Sequence, residues 1–93
     1  MSQNTTALMK KKTSPVYTGL DIAKASLQLD LQSQPSDWSN TTTGHAQLIQ
    51  RLAAVPGVHV LCEATGGYER AAVAALQAAR IAVSVLNPAR VRR

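Results

Sequence analysis

The sequence predicts an α/β fold, a mixed five-stranded sheet with helices against it, in the order β-β-β-α-β-α-β. Three observations carry this. Residues 16–22 and 26–31 read as neighbouring strands, the second alternating between polar and apolar. Farther on, apolar residues recur at helical spacing in 45–54 and again in 68–79. A short apolar run adjoins each of these stretches, at 58–63 and 81–86. A three-strand meander followed by two right-handed crossovers is the simplest arrangement, and it sets the fourth strand beside the first.

The elements follow from their residues. Val16-Tyr17-Thr18-Gly19-Leu20-Asp21-Ile22 is rich in β-branched and aromatic types, with Pro15 at its entry. Residues 23–25 make a tight turn. Leu27, Leu29 and Leu31 then share one strand face, and Ser26, Gln28 and Asp30 the other. Residues 32–37, with Pro35, read as a loop, and 38–42 as a third, edge strand. Leu48, Ile49 and Leu52 mark the first helix, which Pro56-Gly57 stops. The 58–63 run is apolar enough to suggest a strand covered on both faces. Residues 64–67 form a loop. The alanine-rich second helix, 68–79, turns Val73 and Leu76 inward. A last strand, 81–86, ends at Asn87-Pro88.

Ninety-three residues make one small domain, and 45% hydrophobic content is normal for a globular one. No apolar run reaches the roughly 18 residues of a membrane span. Residues 1–14 read as a disordered basic arm without the apolar core of a secretory signal. Cys62 is the only cysteine, so no internal disulfide forms, which suits a cytoplasmic protein. The net charge of +5 is concentrated at the ends, in Lys10, Lys11 and Lys12 and in Arg90, Arg92 and Arg93. That distribution points to nucleic acid as partner, bound in a salt-dependent way. The sequence stops on Val91-Arg92-Arg93 with neither a glycine cap nor a polar tail, which reads as an interrupted domain.

Chemistry rests on five carboxylates. Asp30, on a polar strand face, Asp37, in a loop, and Glu69, in a first helical turn, have structural or solvent explanations. Asp21 and Glu63 differ, because each stands near the C-terminal end of an apolar strand. A carboxylate there is costly unless paired, hydrogen-bonded or metal-bound. With the first and fourth strands adjacent, the two converge at one sheet edge, where mixed α/β sheets bind ligands. Oxygen donors without a histidine or cysteine set suit Mg²⁺ or Mn²⁺ better than zinc. The competing reading has Asp21 capping a turn and Glu63 paired with Lys24 or Arg70. Thr65-Gly66-Gly67 reads as a turn that aims Glu63, or as a set of backbone donors for a phosphate. Lys24 and Arg90, Arg92 and Arg93 are the candidate nucleic-acid contacts, against a solvated role. Trp38 reads as an anchor over the sheet, His45 and His59 as structural, and Cys62 as a core residue facing away from Glu63.

Three blocks carry a family resemblance: Gly19-Leu20-Asp21-Ile22-Ala23-Lys24, Glu63-Ala64-Thr65-Gly66-Gly67-Tyr68-Glu69-Arg70 and Leu86-Asn87-Pro88-Ala89-Arg90-Val91-Arg92. Together they resemble the N-terminal half of the DEDD transposases, the insertion-sequence 110 group and its pilin-gene invertase relatives. The likeness covers about residues 16–93, and the Glu63 block is its most specific part. It implies that 15–93 is the N-terminal part of a ribonuclease H-like, RuvC-like catalytic domain, incomplete here. It also implies that Asp21 and Glu63 are the first two of four acidic ligands for Mg²⁺ or Mn²⁺. The family's two later aspartates and serine-bearing domain have no counterpart in this sequence, so the isolated chain is expected to be inactive. DNA, a guide RNA and further copies of the chain are the implied partners. Two other functions compete. One is a non-catalytic nucleic-acid-binding or dimerisation module of the same fold. The other is a phosphate-handling ATPase, which lacks the glycine-rich second phosphate loop expected of it.

Overall fold

The structure, a computed structural model, describes residues 14–31 and 34–87. The 1–14 arm, apart from Ser14, and the basic end at Arg90, Arg92 and Arg93 lie outside these residues. Five strands and two helices follow in the expected order: β1 Val16–Ile22, β2 Ser26–Leu31, β3 Gln34–Ser39, α1 Thr42–Ala53, β4 Val58–Glu63, α2 Arg70–Ala78 and β5 Ala82–Leu86. They form one mixed sheet in the order β3-β2-β1-β4-β5. β2 is antiparallel to both β1 and β3, while β4 runs parallel to β1 and β5 to β4. Four of the five strands therefore end at the same sheet edge.

The alternation read in β2 is real: Leu27, Leu29 and Leu31 are fully buried and Ser26, Gln28 and Asp30 exposed. On the same face lie Thr18, Leu20 and Ile22 of β1 and Val60 and Cys62 of β4. Both helices cover this face. α1 contributes Leu48 and Leu52, one turn apart, and α2 contributes Ala72 and Leu76 with the same spacing. These residues make one core, and Trp38, Ile49, Val73 and Val83 pack against it. The other face carries no helix among the described residues. The crossovers from β3 to β4 and from β4 to β5 advance in one direction across the sheet. Right-handed connections then put both helices on one side. This corrects the expectation that β4 is covered on both faces: His59, Leu61 and Glu63 lie on the open side.

Three further elements differ from expectation, the second helix starting at Arg70 rather than 68. The third strand spans Gln34–Ser39 rather than 38–42, pairing Leu31 with Gln34 and Ser26 with Ser39. Its place at the sheet edge tolerates Pro35, which has no N–H to give to a ladder. The first helix begins at Thr42 rather than 45, because Thr41 caps it by accepting from the Gly44 N–H at 3.2 Å. α2 closes with Arg80 in the left-handed region, at φ 62°. The Ile81 N–H donates to the Leu76 carbonyl, and the Arg80 N–H to Gln77, which satisfies the last carbonyls of the helix.

Candidate functional site

The open face is a polar and partly apolar surface crossed by a broad groove of about 730 Å³. Asp21, Gln28, Asp30, Leu61, Glu63 and Leu86 are among the residues that line it. Strand register explains how they meet. Gly19 pairs with Asp30 on one side and Leu61 on the other, and Asp21 pairs with Gln28. Two residues on from Gly19 and Leu61, the last paired positions, Asp21 and Glu63 fall on the same face of the two adjacent strands. Asp30 lies diagonally across from Asp21, a separation of about 7–8 Å between such positions in an antiparallel pair. Gly19 sits on the groove floor, and a Cβ added there would meet no atom within 4 Å.

Asp21 and Glu63 are both exposed. Among the described residues neither carboxylate has a hydrogen-bond or ion-pair partner, so the competing pairing of Glu63 with Lys24 or Arg70 does not form. Their hard oxygen donors fit a hard divalent cation. Yet no group of three or more His, Cys, Asp or Glu among the described residues is gathered closely enough to hold an ion. An ion there would thus keep much of its water shell. Lys24 is exposed in the turn after β1, at the same edge as Asp21.

The loop after β4 has an internal organiser. Gly66 and Gly67 adopt φ of 85° and 127°, conformations that favour glycine. They fold the chain so that one oxygen of Glu69, Oε1, accepts three hydrogen bonds. These come from the Thr65 hydroxyl at 2.6 Å, the Thr65 N–H at 3.0 Å and the Gly67 N–H at 3.1 Å. The donors considered for a phosphate at Thr65 and Gly67 are therefore already on a carboxylate, and the loop acts as a brace behind Glu63. The Thr65 hydroxyl first, and then the backbone N–H groups, hold the Glu69 carboxyl down at about 2. The depressed value means that this bracing is fully present above the ordinary glutamate range, near 4.5, and is lost as pH falls toward 2. We predict that acid titration between those values destabilises the chain. Glu69→Gln should remove that component, which urea midpoints at pH 6 and pH 3 would read. An unchanged pH difference in the variant would refute the brace.

The remaining residues fall into place around this edge. The Asn40 side chain donates to Ala23 O and Tyr68 O, and its Oδ1 lies 2.7 Å from His45 Nε2. Burial holds the His45 imidazole below its ordinary range. At the far end of the open face, His59 Nε2 meets Ser84 Oγ at 2.8 Å and its ring stacks against Tyr17. Cys62 is buried on the opposite face from Glu63, and burial, then the Glu69 charge, pushes its thiol up. Sequence reasoning gave Glu69 a structural place in a first helical turn, whereas it stands at the cap position before α2 and holds the loop, and it missed Asn40. An acid four residues after Thr65, within reach of the loop's own donors, was a usable signal for the loop's organisation. For Asn40 there was none, since its partners lie 17 and 28 residues away.

No protein-family model matches the chain, and no curated protein matches it.

Proposed function

We propose that this chain supplies the first part of a divalent-metal site for DNA strand cleavage and transfer, as the leading portion of a transposase or recombinase of ribonuclease H-like, RuvC-like fold. One observation carries the reading. Parallel pairing of β1 and β4 sets Asp21 and Glu63 on one open face, and neither carboxylate has a partner among the described residues. The resemblance of the three sequence blocks to the DEDD transposases supports it, as do the element order and the mixed sheet. Asp21 and Glu63 are then the first two of four acidic ligands. Held by Asp21 and Glu63, Mg²⁺ or Mn²⁺ would supply activation of a water or hydroxyl and stabilisation of the leaving oxygen of a phosphodiester. The chain's own residues hold that chemistry in place. Asp21 and Glu63 supply the negative charge, the bare Gly19 leaves room in the groove, and the Glu69-braced loop fixes the strand end. Lys24 contacts phosphate at the same edge, and the charges of Arg90, Arg92 and Arg93 add to the attraction for DNA and a guide RNA. The whole enzyme works as a homo-oligomer. A free, buried Cys62 accords with the cytoplasm, and among the described residues no helix is long and apolar enough to cross a membrane.

The test is a Mn²⁺ titration of the full chain, followed by water-proton relaxation. We predict weak binding that Asp21→Asn and Glu63→Gln each reduce and the double variant abolishes. We also predict no duplex cleavage by this chain in Mg²⁺, because two carboxylates leave that ion most of its waters. Undiminished Mn²⁺ binding in the double variant would sink the assignment. Cleavage that Asp21→Ala abolishes would instead show two acids to be enough.

A further inference from the structure

Two connections border the edge at which Asp21 and Glu63 stand: the turn at 23–25, just beyond β1, and the loop at 64–69, just beyond β4. Among the described residues no hydrogen bond joins them directly. The register of β1 with β4 runs from Val16↔Val58 to Gly19↔Leu61 and stops short of both acids. Past that point the ladder no longer fixes how far apart the two strands lie.

Asn40, the first residue after β3, spans the gap. Its Nδ2 donates to Ala23 O at 2.9 Å and to Tyr68 O at 3.1 Å. An amide nitrogen has two protons, and both are used. Its Oδ1 is only an acceptor, so His45 must carry its proton on Nε2 and donate at 2.7 Å. The Asn40 N–H donates to Ala25 O at 3.0 Å, a second tie to the turn. His45 is itself buried in the first turn of α1, where its N–H donates to Thr41 O at 2.8 Å. One side chain therefore connects the rigid start of a helix to both connections at once. Aspartate at this position has no donors for the two carbonyls, and alanine has neither donor nor acceptor.

We infer that Asn40 is the positioning residue of the acidic pair, setting the separation of Asp21 and Glu63 by tying together the turn and the loop beyond them. The inference rests on the proposed reading of that pair as metal ligands. It assigns Asn40 no contact with the ion or with nucleic acid.

The experiment uses the full chain with Mn²⁺ as the probe. Residues that orient metal ligands typically change affinity 10- to 100-fold when replaced. Asn40→Ala should therefore weaken Mn²⁺ binding about 10-fold. Leu31→Val, which trims the core at the opposite end of β2, should leave it unchanged and so controls for lost stability. Amide hydrogen exchange gives an independent readout: Asn40→Ala should speed exchange at 23–26 and at 65–69 together. Wild-type Mn²⁺ affinity in Asn40→Ala overturns the inference, and so does faster exchange in only one connection or in neither. Should the wild-type chain fail to bind Mn²⁺, the metal reading falls, and the exchange data alone decide whether Asn40 ties the two connections.

Discussion

Gly44→Ala is expected to destabilise the chain by about 3 kcal/mol, the upper end of what overpacking usually costs. Gly44 is buried in the first turn of α1, against the end of β3. A Cβ placed there would lie 1.7 Å from the Ser39 carbonyl oxygen and 2.7 Å from its carbon. Both are backbone atoms of a strand and cannot swing aside as a side-chain tip does. The helix must move instead, which pulls the Gly44 N–H off Thr41 and His45 away from Asn40. Helix propensity argues the other way, since alanine is favoured over glycine by about 1 kcal/mol in a helix interior. The sign therefore decides between the two effects. Urea denaturation reads it, and a midpoint equal to or above wild type would mean that the helix does not approach β3 this closely. In a domain whose total stability is about 5–15 kcal/mol, the predicted loss leaves little margin.

The second large effect contrasts neighbours. Leu29→Ala should cost about 2–5 kcal/mol, and Asp30→Ala should fall within about 0.5 kcal/mol of wild type. Leu29 is fully buried under the helices, whereas Asp30 is exposed on the open face. Removing the leucine side chain leaves a cavity between β2 and the helices. Removing the carboxylate changes only the charge of the groove. Strand register makes this pair informative, because a slip of one residue exchanges every inward side chain for an outward one. Equal costs at the two positions, by chemical denaturation, would refute the register Gly19↔Asp30 and Leu20↔Leu29.

Much of this was legible in the residues, and the failures have physical reasons. β1, β2 and β4 show their bounds through apolar content and alternation, since each has one face that must be buried. β3 does not, because Gln34-Pro35-Ser36-Asp37 is poor in strand formers and is held at the edge by its hairpin pairing to β2. The start of α1 was hidden by Thr42, Thr43 and Gly44, all weak helix formers, of which Gly44 is required by close packing. The convergence of Asp21 and Glu63 followed from strand adjacency, which the element order supplied. The open face was not foreseen from the apolar run Val58-His59-Val60-Leu61-Cys62, since a half-covered strand and a fully covered one can share that composition. Asn40 was invisible for a different reason: its role depends on three-dimensional neighbours far away in the chain.

The pairing of β1 with β4 also has a kinetic side. Ile22 and Leu27, at the β1–β2 turn, are 5 residues apart, from 27 − 22, whereas Val16 and Val58 are 42 apart, from 58 − 16. Local contacts close early and distant ones late, because each long loop must be ordered before its contacts form. The three-strand meander is thus the natural nucleus, and docking of β4 the late, slow event. Asp21 resides in the part that forms first and Glu63 in the part that arrives last. A form in which only the meander has folded lacks the acidic pair, and an ion held between the two acids would stabilise the finished sheet by mass action.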